Sequence, residues 1–211
     1  NPFAQMRKAL GYAFCREESE KSPYVAGPLK RTDCSLVSDG AAAIVLADAE
    51  TALQMRRAVG FRGMAHVQDF LPMSKRDILA FEGCEQAWAR ALKKAGVTLD
   101  DLSFVETHDC FTIAELIEYE AMGLAKPGEG AKLALDGTTA RDGRLPVNPS
   151  GGLKAKGHPI GATGVSMHVL TAMQLTGEAG GIQVPNAKLG GIFNMGGAAV
   201  ANYVSILDRI R

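Results

Sequence analysis

His108, Asp109, Cys110 and Phe111 follow directly on the run 102–107, which holds Leu102, Phe104 and Val105. If that run is a strand, His108 and Cys110 leave it on the same side, because strand side chains alternate. A thiol beside an imidazole can become a thiolate and act as nucleophile or proton shuttle. A small core cysteine next to a hydrogen-bonded histidine fits the spacing as well. A second histidine, His158, lies in Gly157-His158-Pro159-Ile160-Gly161-Ala162-Thr163-Gly164. Pro159 suits the first position of a helix, so His158 would stand at a helix N-terminus, where the dipole favours the neutral ring. A neutral imidazole takes a proton from a thiol or donates its one N–H to an oxyanion. A solvated histidine in a surface turn is the plain alternative. The third candidate is Asn194-Met195-Gly196-Gly197, whose bare backbone N–H groups suit an oxyanion hole or a simple tight turn equally.

Other chemistries fit less well. The stretch Gly157-x-x-x-Gly161-x-x-Gly164 is not a G-x-G-x-x-G, and no Gly-Lys-Ser/Thr completes a P-loop. Neither Ser150 nor Ser166 lies in a G-x-S-x-G frame. His66, His108, Cys110 and His158 contain no ligand pair with structural-zinc spacing, so no metal site is expected. His168, mid-helix by pattern, reads as structural. The 211 residues carry 23 Lys+Arg against 23 Asp+Glu, a balance that argues against coating nucleic acid or an anionic membrane. The longest purely apolar run, residues 41–47, is far short of the ~20 residues a membrane helix needs. Cys15, Cys34, Cys84 and Cys110 are widely spaced and form no C-x-x-C pair. They read as reduced thiols of a cytoplasmic compartment. The chain opens at Asn1, with no charged-then-apolar leader and no initiator Met, and reads as a piece of a longer protein.

These candidates need elements to hold them. Residues 1–38 lack a sustained period and read as irregular, and 39–211 as the folded domain. The run 41–47, after the turn signal Asp39-Gly40, reads as a buried strand, followed by a helix capped by Asp48. Further strands are expected at 61–70, 102–107, 189–193 and 199–206. Helices are expected at 78–94, 112–122 and from Gly164 to Gly177, with a Pro/Gly-containing excursion over 126–150. Strands alternating with helices predict an α/β sandwich around a mostly parallel sheet, whose strand ends carry the ligand site.

Taken in order, His108-Asp109-Cys110-Phe111, Asn148-Pro149-Ser150-Gly151-Gly152, Gly157 to Gly164 and Asn194 to Gly197 resemble the thiolase family. The likeness is strongest to its sterol-carrier-protein-2 type and the related acetyl-CoA acetyltransferase-like proteins. Ser38-Asp39-Gly40-Ala41-Ala42-Ala43 also fits that family's first strand of the second half. The resemblance implies a C-terminal half alone: a five-stranded, mostly parallel mixed sheet with helices on both faces, preceded by a remnant of the loop region over residues 1–38. It implies formation or cleavage of a carbon–carbon bond next to a coenzyme A thioester, which is a substrate rather than a tightly bound cofactor. By the same resemblance His158 activates the nucleophilic cysteine and serves one oxyanion hole, and His108 supports that hole. Cys110 moves the α-proton, Gly196 donates to the second hole, and Ser35 contacts the pantetheine arm. The family's nucleophilic cysteine belongs to a missing N-terminal half, so this chain should not turn over alone. Homodimers or tetramers are implied. Some relatives act instead as retro-aldolases with a small OB-fold partner, and a non-catalytic assembly module is the third reading.

Overall fold

The computed structural model describes residues 4–211; the first three residues of the irregular stretch lie outside the described residues. A short helix α1 (Tyr12–Arg16) and a small hairpin, β1 (Tyr24–Ala26) with β2 (Leu29–Lys30), come first. Helix α2 (Ala49–Gln54) starts as the sequence predicts, with the Asp48 carboxylate accepting from the Thr51 N–H at 2.8 Å. The main body follows: β3 (Val59–Gln68), α3 (Glu82–Ala95), β4 (Phe104–Glu106), α4 (Thr112–Ala121), α5 (Gly130–Leu135), α6 (Gly152–Lys156), α7 (Thr163–Thr176), β5 (Leu189–Gly196) and β6 (Ala201–Arg209).

The main sheet has four strands in the order β3-β6-β5-β4. Only β4 and β5 run parallel; β6 is antiparallel to both β5 and β3. The sheet is thus α/β and mixed as expected, with one strand fewer and mostly antiparallel. The absent strand is the run 41–47, which takes no regular structure and pairs with no strand, with Val45 95% and Leu46 71% exposed. Its apolar sequence is that of a strand, but a strand needs a neighbour to take its backbone hydrogen bonds, and none lies alongside among the described residues.

Helices cover both faces of the sheet. On β5, Gly191 faces Trp88 of α3, whereas the adjacent Gly190 faces Thr171 of α7. One core gathers around Trp88, Cys84, Phe193 and Ile206, the other around Phe104, Met167, Ile192 and Leu207. Helix α3 begins later than its pattern predicts because Phe81 turns left-handed, at φ 48°.

A bulge in β3 between Phe61 and Gly63 lets α3 sit close. A Cβ on Gly63 would fall on the Ala91 carbonyl oxygen and lie 2.9 Å from the Ala95 N and Cβ. Gly63→Ala is therefore expected to cost about 2–3 kcal/mol by overpacking, read by denaturant unfolding. A loss below about 0.5 kcal/mol, the range of an indifferent surface change, would mean α3 is not seated there.

Candidate active site

Parallel pairing brings the carboxyl ends of β4 and β5 to the same edge of the sheet. The loop after β4 carries His108 and Cys110, and the end of β5 carries Asn194 to Gly196. Backbone and buried side chains fix that loop. Thr107 N–H donates to the Asn148 side-chain oxygen at 2.8 Å, and the Thr107 hydroxyl donates to the Glu118 carboxyl group. The Asp109 carboxylate accepts from the N–H groups of Leu153 (2.6 Å) and Lys154 (3.1 Å), in the first turn of α6. Gly152 lies at φ +60°, and a side chain there would run into Asp109. Ser150 donates through N–H and hydroxyl to Glu106, at 3.1 and 2.6 Å. The Asn148–Gly152 motif is therefore the scaffold that holds the histidine loops.

Residues 34–38 join the two loops. Cys34 bridges to Phe111, Ser35 N–H donates to the Cys110 carbonyl at 2.8 Å, and Val37 bridges to His158. The His158 N–H donates to the Leu36 carbonyl at 2.9 Å. The two histidine rings consequently meet edge to face, their centroids 5.1 Å apart. Both are buried, His108 at 7% and His158 at 8% exposure.

Hydrogen bonds choose the tautomers. His108 Nδ1 lies 2.7 Å from the Asn194 side-chain oxygen, an acceptor, so Nδ1 carries the proton and Nε2 the lone pair. His158 Nδ1 lies 2.7 Å from the Thr163 Oγ1, whose single proton is given to the Pro159 carbonyl. His158 Nδ1 must then donate, which leaves Nε2 as a base. Burial pushes His108 down to about 4, outweighing the Asn194 bond, and burial with nearby Lys156 lowers His158. Both rings are neutral at physiological pH.

Cys110 departs from the sequence-based expectation. No hydrogen bond joins its thiol to His108 among the described residues, so the expected thiol–imidazole pair is absent. Burial and then the neighbouring Glu118 push the thiol up to about 12. At rest Cys110 is a proton donor rather than a thiolate. Cys84 is fully buried in the core, with its thiol driven up by burial. Cys34 borders the site, and its thiol faces the Lys30 carbonyl at 3.5 Å. His168 is structural as expected, held between the Gly164 carbonyl and the Ser205 hydroxyl.

A cavity of about 800 Å³ joins Ser35, His108, Cys110, His158 and Gly196. Its far wall is apolar, with Ile78, Phe81, Ile113 and Ile117 among the lining residues. Another cavity, of about 730 Å³, lies at the opposite end of the sheet, lined by Arg62, Asp101, Lys188 and Asp208. It contains neither histidine nor cysteine. No cluster of metal-ligating side chains occurs among the described residues. No helix among them is long and apolar enough to cross a membrane.

Sequence reasoning missed the second layer. Asn194 and Thr163 orient the rings, and their partners lie far away in sequence or across a turn. Glu106 lies 1% exposed behind Ser150, and burial raises its carboxyl to about 7. Glu106 is therefore protonated more readily in the fold than in the unfolded chain. Its contribution to stability is full below about 4.5 and is lost as pH rises through about 7. Buried His108 works the other way, its contribution being lost as pH falls from 6.5 through about 4. Glu106→Gln should thus raise stability relative to the native residue more at pH 8 than at pH 5, by up to roughly 3 kcal/mol. Thermal unfolding at the two pH values measures this; an equal effect at both would place the Glu106 pKa near its ordinary value.

A family model described as thiolase C-terminal domain-like matches residues 65–209. An acetyl-CoA acetyltransferase of Methanothermobacter thermautotrophicus is 40% identical over 195 residues, 92% of this chain and 51% of the relative. Sterol carrier protein 2 of Oryctolagus cuniculus is 37% identical over 210 residues, 95% of this chain and 38% of the relative. A solved Ltp2-ChsH2(DUF35) aldolase shares the fold at a TM-score of 0.79 and 20% identity, over 91% of this chain and 50% of its own. The chain thus spans about half or less of the relatives it matches. With its sheet, its motifs in order and this match, the chain belongs to the thiolase family, as a C-terminal domain.

Proposed function

We propose that this chain is the C-terminal catalytic domain of an acetyl-CoA C-acyltransferase, which makes or cleaves a carbon–carbon bond next to a coenzyme A thioester. The observation that carries the reading is the gathering of His108, Cys110, His158 and Gly196 on one cavity. An N-terminal half supplies the cysteine that takes the acyl group. His158 Nε2 removes that cysteine's proton, and the resulting imidazolium N–H then faces the thioester oxygen. His108 Nε2, which carries a lone pair, backs the same oxygen by accepting from a water that also donates to that oxygen. The Gly196 N–H faces the oxygen of the acyl-cysteine. In cleavage, the Cys110 thiol gives its proton to the α-carbon of the departing enolate; in synthesis, it first protonates the leaving coenzyme A thiolate and then takes the α-proton. Both sequences start from a protonated thiol, in keeping with its raised pKa. Ser35, on the cavity rim, contacts the pantetheine arm. The thioester is a substrate, and no resident cofactor is required.

The N-terminal half covers the exposed run around Val45 and Leu46, other exposed apolar side chains include Phe61, Met64 and Tyr203 on β3 and β6, and the complete protein assembles as a dimer or tetramer. The test is intact mass after mixing with an acyl-CoA. The protein joined to its N-terminal half should gain one acyl group, and this chain alone should gain none. An acylated isolated chain would place the nucleophile here and overturn the division of labour. The aldolase neighbour supports a second reading, retro-aldol cleavage of a CoA thioester with a small OB-fold partner. It predicts carbon–carbon cleavage with no acyl group on the protein.

A further inference from the structure

The turn after β5 is strained. Gly197, Ala198 and Ala199 are left-handed in succession, at φ 62°, 53° and 62°. Alanine avoids this region, because its Cβ crowds the following carbonyl. Non-glycine residues in it persist only when their surroundings enforce them, and such residues gather at functional sites. Gly196, Gly197 and Ala198 line the cavity with the two histidines. Among the described residues no acceptor meets the N–H groups of Gly197, Ala198 or Ala199, while Val200 N–H closes the turn on the Gly196 carbonyl at 3.0 Å. The first N–H groups of a helical turn have no acceptor within it and point out past its start.

Two side chains clasp this turn from behind. Asn202, fully buried on β6, donates through Nδ2 to the Ala199 carbonyl at 2.8 Å and lies 3.4 Å from the carbonyls of Val67 and Val200. Arg76 donates to the Ala198 carbonyl at 2.6 Å. Asn202 is itself wedged under α3, since a Cβ on Gly83 would fall on its amide nitrogen. We infer that Asn202, seconded by Arg76, is a positioning residue that holds Ala198 and Ala199 left-handed and so presets the N–H groups from Gly196 onward to receive the acyl oxygen. The inference rests on the acyl-transfer reading above. Asn202 lies behind the turn and does not line the cavity.

The protein joined to its N-terminal half is assayed for two rates: formation of the acyl-cysteine from acetyl-CoA, by mass, and deuterium exchange at the α-carbon, which uses His108, Cys110 and His158. Asn202→Ala should slow acylation at saturating thioester by about 10–100-fold, a part of what loss of a whole donor costs. The half-saturating concentration and the exchange rate should each stay within about threefold. Adding Ala199→Gly should restore acylation, because glycine holds the left-handed turn without help. Arg76→Ala, on a half-buried side chain, should act in the same direction and decides the matter if Asn202→Ala does not fold. Unchanged acylation in either folded variant overturns the inference. So does an equal loss of both rates that glycine does not rescue, which would mark a structural residue. A native protein with neither rate overturns the acyl-transfer reading itself.

Discussion

His158→Ala is expected to lower acyl transfer by about 10³–10⁴-fold with the fold intact. The ring would serve twice, as base toward the nucleophilic thiol and then as donor to the thioester oxygen, and general base catalysis alone is worth 10²–10⁴-fold. Its Nε2 is free because Thr163 holds Nδ1. Thr163→Val removes that acceptor, lets the tautomer reverse, and should cost a smaller share of the rate without touching the ring. Burial and Lys156 lower the His158 pKa, so the acid limb of the rate profile should lie below the ordinary histidine range. Steady-state kinetics against pH, with circular dichroism as the control for folding, tests all three. A His158→Ala protein within tenfold of native turnover would remove the ring from the reaction.

Cys110→Ala should abolish α-proton exchange, lowering it by 10² or more, while acyl-cysteine formation from acetyl-CoA survives in part. The native thiol should also resist alkylation at pH 8, since burial and Glu118 hold its pKa near 12. Rapid alkylation of native Cys110 at neutral pH would show a resting thiolate and contradict the proton-donor role. Unchanged exchange in Cys110→Ala would remove the thiol from proton transfer altogether.

Much of the site was legible because its groups sit in short, contiguous motifs at strand and helix ends. His108 and Cys110 follow β4 and Gly196 ends β5, whereas α7 starts only at Thr163, capped by Ala162, so Pro159 does not open the helix and His158 lies in the turn ahead of it. These junctions are marked by a change of hydrophobic period and by Gly or Pro. The strand at 41–47 was misread because a local apolar run does not show whether a neighbour will take its backbone hydrogen bonds, and none does among the described residues. The parallel sheet was misread because strand direction depends on how β6 returns between β3 and β5, a long-range choice that a local period does not encode. The thiol–imidazole pair failed on geometry: His108 turns to Asn194, 86 residues away, and the half-buried Cys110 thiol is pushed up by burial rather than paired with the ring. Tautomers, buried carboxyl groups and the clasp on Ala198 and Ala199 are likewise tertiary, set by partners that spacing cannot reveal.

The most direct measurement is a crystal structure of the complete protein with a non-cleavable thioether analogue of an acyl-CoA. The oxygen mimicking the thioester carbonyl should lie within hydrogen-bond distance of His158 Nε2, with the α-carbon beside Cys110 Sγ and the pantetheine arm leaving past Ser35. An analogue bound away from these three groups, or lodged in the Arg62–Asp208 cavity at the other end of the sheet, would contradict the assignment.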